Sequence, residues 1–274
     1  MVQKSFFYLS IVFFLSHQTT LCIEQPTCHP LTRADSIETL VKKAKELNTL
    51  YPTDYIYSLG QTPAYLVSTM QMMAQDKARF KLIPFSGRFC TISERKFVGN
   101  EPKYFVQTWT LDQSKKPNFE LYQNVLKKLE LQISDIIDRY TNNNIRTVIL
   151  EFSVSYGGLA SFLTALFAHQ TITSEHIATL KSALVIHVLE DPKGLPVSHR
   201  KLEFSNKQYQ VEIVIDKTKT NSLFTQLADC DQFQDRLVPF YSYLEWDTDP
   251  TTFKPSKQAS QILDKISKYL NTHS

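Results

Sequence analysis

The sequence predicts an α/β fold, built from a mostly parallel β-sheet with helices on both faces. Apolar runs typical of strands alternate with amphipathic helical patterns along most of the chain. The run at 146–152 is apolar on both faces, as expected for a strand in the middle of a parallel sheet. Glycines follow the first and third of these strands, where a chain turning sharply into a helix needs backbone freedom. Strand and helix in repeated alternation favour βαβ units.

The first elements are a helix and a strand. Residues 35–50 carry apolar side chains at helical spacing, with Asp35 and Glu38 placed as an N-cap and its partner three positions on. Residues 54–60, "DYIYSLG", predict the first strand, which ends at a glycine.

A second helix and strand follow. The helix is predicted over 61–75, with Thr62 as N-cap and Pro63 at the first helical position. The second strand is predicted over 80–87. Residues 88–116 are polar and basic, and we expect a loop there, which at that length is typically functional or disordered.

The second half of the chain continues the alternation. Residues 118–140 have the clearest helical periodicity, and "TNNN" ends that helix. The third strand, 146–152, leads into a helix over 158–170. The remaining predictions are a short helix at 174–183, strands at 184–190 and 209–216, and an amphipathic helix at 255–270.

Composition excludes some functional classes. The chain has 274 residues, of which 42% are hydrophobic and 12% aromatic, as in a globular protein. Lys and Arg outnumber Asp and Glu by only 30 to 27, so we expect no nucleic-acid partner. Chain length and the absence of internal repeats predict a single α/β domain over 23–274.

The N-terminus has the layout of a signal peptide over residues 1–22. Lys4 provides the positive charge, residues 5–16 form an uncharged apolar run, and Thr20 and Cys22 suit a cleavage site. The sequence therefore predicts an exported protein, secreted or periplasmic, with no stable membrane anchor after cleavage. The alternative is a membrane anchor, but a span needs about 20 apolar residues.

A candidate site lies where the third strand gives way to the next helix. Gly157 and Gly158 permit a sharp turn that aims backbone N–H groups above the strand, at the positive end of the helix. Ser153 and Ser155 would add hydroxyl donors, and Glu151 would bind a ribose hydroxyl or Mg²⁺. The alternative is that the glycines only form a tight joint.

The same stretch also matches part of a nucleophile elbow. In an α/β-hydrolase reading, Ser155 would be the nucleophile of an esterase, with Ser153 at a position that usually holds glycine. Such an enzyme needs a downstream acid followed by a histidine. The histidines available for that role come too early, lie inside predicted elements or sit at the chain end: His169, His176, His187, His199 and His273.

The stretch resembles the phosphoribosyl-diphosphate loop of type I phosphoribosyltransferases. The apolar strand, Glu151 as first acid, Ser155 as first hydroxyl and Gly157 as loop glycine carry the likeness. "LGQTPAYL", 59–66, corresponds to the loop that contacts diphosphate, and the basic segment 88–116 to the family's mobile loop. The resemblance implies a phosphoribosyltransferase-like fold with a core over 35–190 and a hood-like region over 191–274.

The resemblance also implies a reaction and roles. Ribose 5-phosphate would pass from phosphoribosyl diphosphate to an unknown acceptor, with Mg²⁺ bridging the diphosphate. Glu151 would contact ribose, and the amides and hydroxyls of the loop would hold the 5-phosphate. The diphosphate would be bound by Gln61 and Thr62 and neutralised by Arg88. The loop residues are Ser153, Ser155, Tyr156, Gly157 and Gly158.

Phe152 stands where the family has its second acidic residue. The paired acids hold the ribose hydroxyls, and a phenyl ring cannot accept those hydrogen bonds. A non-catalytic regulatory or binding module on the same fold is therefore the alternative to a transferase.

Overall fold

The computed structural model describes residues 29–84, 90–98, 104–111, 116–152, 157–167, 172–190, 202–204, 207–209, 212–216, 222–228, 236–238 and 252–273. The predicted signal peptide at 1–22 lies outside these ranges. Among the helices in the described ranges, none combines the length and the apolar character that crossing a membrane requires.

The described ranges contain eight helices and nine strands, after a short 3-10 turn at Pro30–Thr32. The helices are α1 (Ala34–Leu50), α2 (Gln61–Met73), α3 (Lys116–Lys128), α4 (Ile133–Asn143), α5 (Gly157–Phe167), α6 (Ser174–Ala183), α7 (Leu223–Ala228) and α8 (Lys257–Thr272). The strands are β1 (Tyr55–Leu59), β2 (Phe80–Ile83), β3 (Cys90–Val98), β4 (Tyr104–Leu111), β5 (Thr147–Glu151), β6 (Leu184–Val188), β7 (Leu202–Phe204), β8 (Lys207–Tyr209) and β9 (Glu212–Ile215).

The main sheet has five strands in the order β2-β1-β5-β6-β9, and every neighbouring pair is parallel. Each residue of β5, at the centre, is buried. This confirms the predicted α/β class with a parallel sheet. Full burial explains why β5 is apolar on both faces, since helices cover each side.

The side chains of the sheet alternate between two cores. Tyr57, Ile149 and Ile186 pack with α3, α4, α5 and α6 on one face. Ile56 and Val148, one residue away, pack with α1, α2, α7 and α8 on the other. The two-residue period of a strand produces this division, and the predicted helices on both faces are confirmed.

A second sheet corrects the expectation of a loop over 88–116. β3 and β4 pair antiparallel, and β7 and β8 extend them into a four-stranded sheet in the order β3-β4-β7-β8. These segments are rich in Thr, Ile, Phe, Val, Tyr and Trp, which favour strands. Their charge misled the prediction, because a polar strand and a polar loop have similar composition.

The single helix predicted over 118–140 is two helices. Glu130 lies between α3 and α4 with a left-handed φ of 55°. Its N–H donates to the carbonyl of Lys127, and that of Leu131 donates to Leu126, which is the Schellman pattern that ends a helix. No glycine marks this break, and the apolar spacing continues across it, so periodicity alone could not reveal it.

Two predicted helix starts are displaced. Arg33, not Asp35, is the N-cap of α1, and Asp35 lies in its first turn. Gly60, not Thr62, is the N-cap of α2, with φ 79° and ψ −168°. A glycine in this left-handed conformation lets the chain turn from β1 into α2 with no intervening loop.

The region predicted as a hood, 191–274, contributes to the main body. β9 is an edge strand of the parallel sheet. In α8, Ala259, Ile262 and Ile266 are buried in the same core as Val67 and Met70 of α2. The described parts of this region therefore complete one face of the α/β sandwich.

Candidate functional site

The centre of the main sheet contains a topological switch point. β1 and β5 are parallel neighbours, with Ser58 opposite Leu150, so their carboxyl ends lie at the same edge. The chain leaves β1 toward β2 on one side and leaves β5 toward β6 on the other. Ligands of open α/β sheets bind in the crevice outside the strand ends at such a point.

Two helices begin beside this crevice. α2 starts at Gln61, and its N-cap residue, Gly60, follows β1 directly and makes no side-chain capping hydrogen bond. α5 starts at Gly157, and four residues that the structure does not describe separate it from Phe152, which directly follows β5. The amino end of each helix carries partial positive charge, which favours an anion beside the ends of β1 and β5.

Gln61 has a structural partner at this edge. Its side-chain oxygen Oε1 accepts hydrogen bonds from the backbone N–H of Leu237 at 3.0 Å and of Val238 at 3.4 Å. Gln61 and Thr62 are both buried, at 6% and 7% exposure. The oxygen of Gln61 thus holds the segment 236–238 against the start of α2, a role that sequence reasoning did not find.

Glu151 and Phe152 end β5. The carboxylate oxygen Oε1 of Glu151 accepts a hydrogen bond from the N–H of Phe152 at 2.8 Å, and Glu151 is 9% exposed. The ring of Phe152 is buried in the core on the α1/α2 face. Phe152 therefore works as a packing residue at the position where the resembled family has an acid.

Five of the predicted site residues lie within the described ranges. Glu151, Gln61, Thr62 and the paired glycines Gly157 and Gly158 belong to the ends of β1 and β5 or the starts of α2 and α5. The other predicted site residues, Ser153, Ser155, Tyr156 and Arg88, lie outside the described residues.

His187 has both ring nitrogens engaged. It lies on β6 at 1% exposure, with Nδ1 2.8 Å from the Tyr51 hydroxyl and Nε2 3.1 Å from Oδ1 of Asp216. Ser155, the proposed nucleophile of the esterase alternative, lies outside the described residues.

Two acidic residues that sequence reasoning missed follow strands at the same sheet edge. Glu190 comes after β6 and Asp216 directly after β9. Burial disfavours the charge on Asp216, but the His187 and Lys43 side chains more than offset this and lower its pKa. The sequence did contain a signal for these two residues. In "LVIHVLE" and "EIVID" an acidic residue directly follows an apolar run, at the strand end where ligands bind in such sheets.

The chain was compared with protein-family models, with curated proteins and with solved structures, and none of them matches it. Within the described residues, no group of three or more His, Cys, Asp or Glu side chains is arranged to hold a metal ion. A functional assignment therefore depends on the strand-end geometry and on the sequence motif.

Proposed function

We propose that this protein binds a small phosphorylated ligand of the phosphoribosyl type in the crevice between the ends of β1 and β5. The observation that carries the proposal is the reversal of chain direction between these two neighbouring strands. A crevice of this kind is where open α/β sheets bind their ligands.

The anionic character of the ligand is supported by the two helix starts. α2 begins after the glycine N-cap Gly60 and α5 begins with two glycines, so two helix amino ends with partial positive charge lie at one edge. The diphosphate would be bound mainly by amides near Gln61 and Thr62, because the Gln61 side-chain oxygen already accepts two backbone hydrogen bonds.

Glu151 is a carboxylate at this edge and would receive a ribose hydroxyl. Mg²⁺ is commonly held by one or two carboxylates together with substrate phosphates, and not by a protein cage. Glu151 fits that mode of binding. The phosphoribosyl identity of the ligand is supported only by the resemblance of the loop motif.

Binding without turnover is the second candidate, and Phe152 favours it. Its buried ring takes the place of the second acid and cannot hold a ribose hydroxyl. An exported destination would also separate the protein from a cytosolic phosphoribosyl donor.

Calorimetric titration with phosphoribosyl diphosphate and Mg²⁺ tests the proposal. We expect saturable binding to the wild-type chain and at least tenfold weaker binding to Glu151→Gln, since a hydrogen bond to a charged group contributes about 1.5–3 kcal/mol. Glu120→Gln, an exposed change on α3, is the matched control and should bind as wild type does.

Absence of binding heat, or equal affinity for Glu151→Gln and wild type, would refute the phosphoribosyl site. Release of diphosphate with an acceptor present would favour the transferase over the binding module. Labelling of Ser155 by a fluorophosphonate would instead favour the esterase.

A further inference from the structure

A cavity opens at the carboxyl edge of the sheet, beside β6 and β9. Its volume is about 680 Å³, within the range of small-molecule pockets. Lys43 and Glu46 of α1 line one side, and Glu190 and Asp216 lie at the strand ends. Leu223 and Phe224 of α7 form an apolar wall.

Glu190 is the unusual group in this cavity. It is 3% exposed, and its oxygen Oε2 accepts a hydrogen bond from the Thr225 hydroxyl at 2.7 Å. Among the described residues, no hydrogen-bond donor contacts its other oxygen, Oε1. A buried carboxylate without a cation is costly, because one hydrogen bond replaces only part of the hydration that it loses.

The negative charge of Asp216 is balanced by neighbouring side chains, in contrast to that of Glu190. Its Oδ2 lies 2.7 Å from Nζ of Lys43, and its Oδ1 lies 3.1 Å from Nε2 of His187. Lys43 also contacts Glu46 at 2.7 Å. The positive charge of Lys43 is thus shared by two other carboxylates, and Glu190 has no ion pair among the described residues.

We propose that this cavity binds a small organic amine, with its ammonium group at Glu190 and its hydrocarbon body against Leu223 and Phe224. Burial raises the pKa of Glu190, and the hydrogen bond from Thr225 only partly offsets this, consistent with a carboxylate that lacks a cation. An anion would meet the carboxylates of Glu46, Glu190 and Asp216. A metal ion would leave the apolar wall unused.

The proposed amine site is separate from the phosphorylated-ligand site. Glu190 is one strand away from β5, and its backbone N–H pairs with the carbonyl of Phe152. The two proposals use different side chains, so one can fail while the other stands.

Calorimetric titration of the full chain with phenethylammonium, butylammonium and the neutral analogue phenethyl alcohol tests the inference. We expect phenethylammonium to bind at least tenfold more tightly than the alcohol, a comparison that needs no variant. Butylammonium should bind more weakly than phenethylammonium but still more tightly than the alcohol, because it covers less of the apolar wall.

The variant Glu190→Gln should weaken phenethylammonium binding at least tenfold while keeping an acceptor for the Thr225 hydroxyl. Glu175→Gln, an exposed change on α6, should bind the amine as wild type does. The inference is overturned if amine and alcohol bind equally, if neither binds, if Glu190→Gln keeps full amine affinity, or if Ca²⁺ binds in place of the amine.

Discussion

Asp54 is a residue whose role only the folded chain reveals. Its carboxylate is 4% exposed and accepts hydrogen bonds from the Arg146 backbone N–H at 3.0 Å and from Nη2 at 2.8 Å. Asp54 precedes β1 and Arg146 precedes β5, so the pair joins the amino ends of the two central strands. This pairing could not be predicted from the sequence, because Arg146 lies 92 residues from Asp54.

Replacing Asp54 with Ala should lower the free energy of unfolding by about 2–3 kcal/mol. Loss of one partner from a fully buried pair costs about 3–5 kcal/mol, and partial exposure of Arg146 reduces that figure. Urea unfolding measures the change, with the exposed Asp138→Ala on α4 as control. Equal stabilities for the two variants would contradict a structural role for the pair.

Glu190 predicts a pH dependence of stability. Burial raises its pKa in the folded protein above the ordinary value of 4.5. Protonation therefore favours the folded state, and the wild type should lose stability relative to Glu190→Gln as pH rises from about 4.5 through the raised pKa. Urea unfolding of both proteins between pH 4 and 8 measures this difference.

Asp216→Asn provides the contrasting pH profile. Because the pKa of Asp216 is lowered on folding, its stabilisation is complete above the ordinary value of 3.8 and is lost only as pH falls below it. The stability difference between wild type and Asp216→Asn should therefore stay constant from pH 5 to 8. A parallel trend in the two variants would contradict the separate environments of these carboxylates.

At the level of elements, apolar periodicity located most of the helices, whereas the predicted N-caps of α1 and α2 were wrong. α6 and α8 lie where the sequence placed them, with Thr173 and Ser256 accepting backbone hydrogen bonds as N-caps. The break at Glu130 has no such mark, because a non-glycine residue takes the left-handed conformation there. The strands of the main sheet were predicted, but those of the second sheet were not. The contact of Gln61 with 237–238 was also beyond prediction, because it joins positions 176 and 177 residues apart.

Ser256→Ala should destabilise the protein by about 1 kcal/mol, the typical cost of removing an N-cap. The Ser256 hydroxyl oxygen accepts a hydrogen bond from the Ala259 N–H at 3.1 Å, and α8 packs on α2 through the following turns. Thermal unfolding measures the loss. Ser256→Asp, which keeps an acceptor at the cap, should retain wild-type stability, and an equal loss in both variants would show that the cap is not responsible.

At the scale of the whole molecule, the parallel sheet is assembled from strands that lie far apart in the sequence. β9 supplies the fifth strand and pairs with β6 through the register Val185 to Glu212. The sequence predicted this strand but not its position, since parallel partners are joined through long crossovers that leave no local trace. The candidate site at the β1/β5 crevice therefore belongs to a sheet and core that include residues well beyond 190.

A chain shortened to 29–190 should therefore fail to unfold cooperatively. It would expose β6 as a sheet edge, remove Asp216 from Lys43 and His187, and strip one core of the buried residues Leu223, Phe224, Leu227, Leu237, Val238, Ala259, Ile262 and Ile266. Burying one Val, Leu, Ile or Phe side chain contributes about 1.5–3 kcal/mol, so the loss of these residues removes stabilisation on the order of the whole usual margin of about 5–15 kcal/mol. Urea titration followed by circular dichroism, with residues 29–274 as control, measures the outcome. A sharp transition in 29–190 near the midpoint of the control would instead locate the stable unit within 35–190 and make the rest an appended hood.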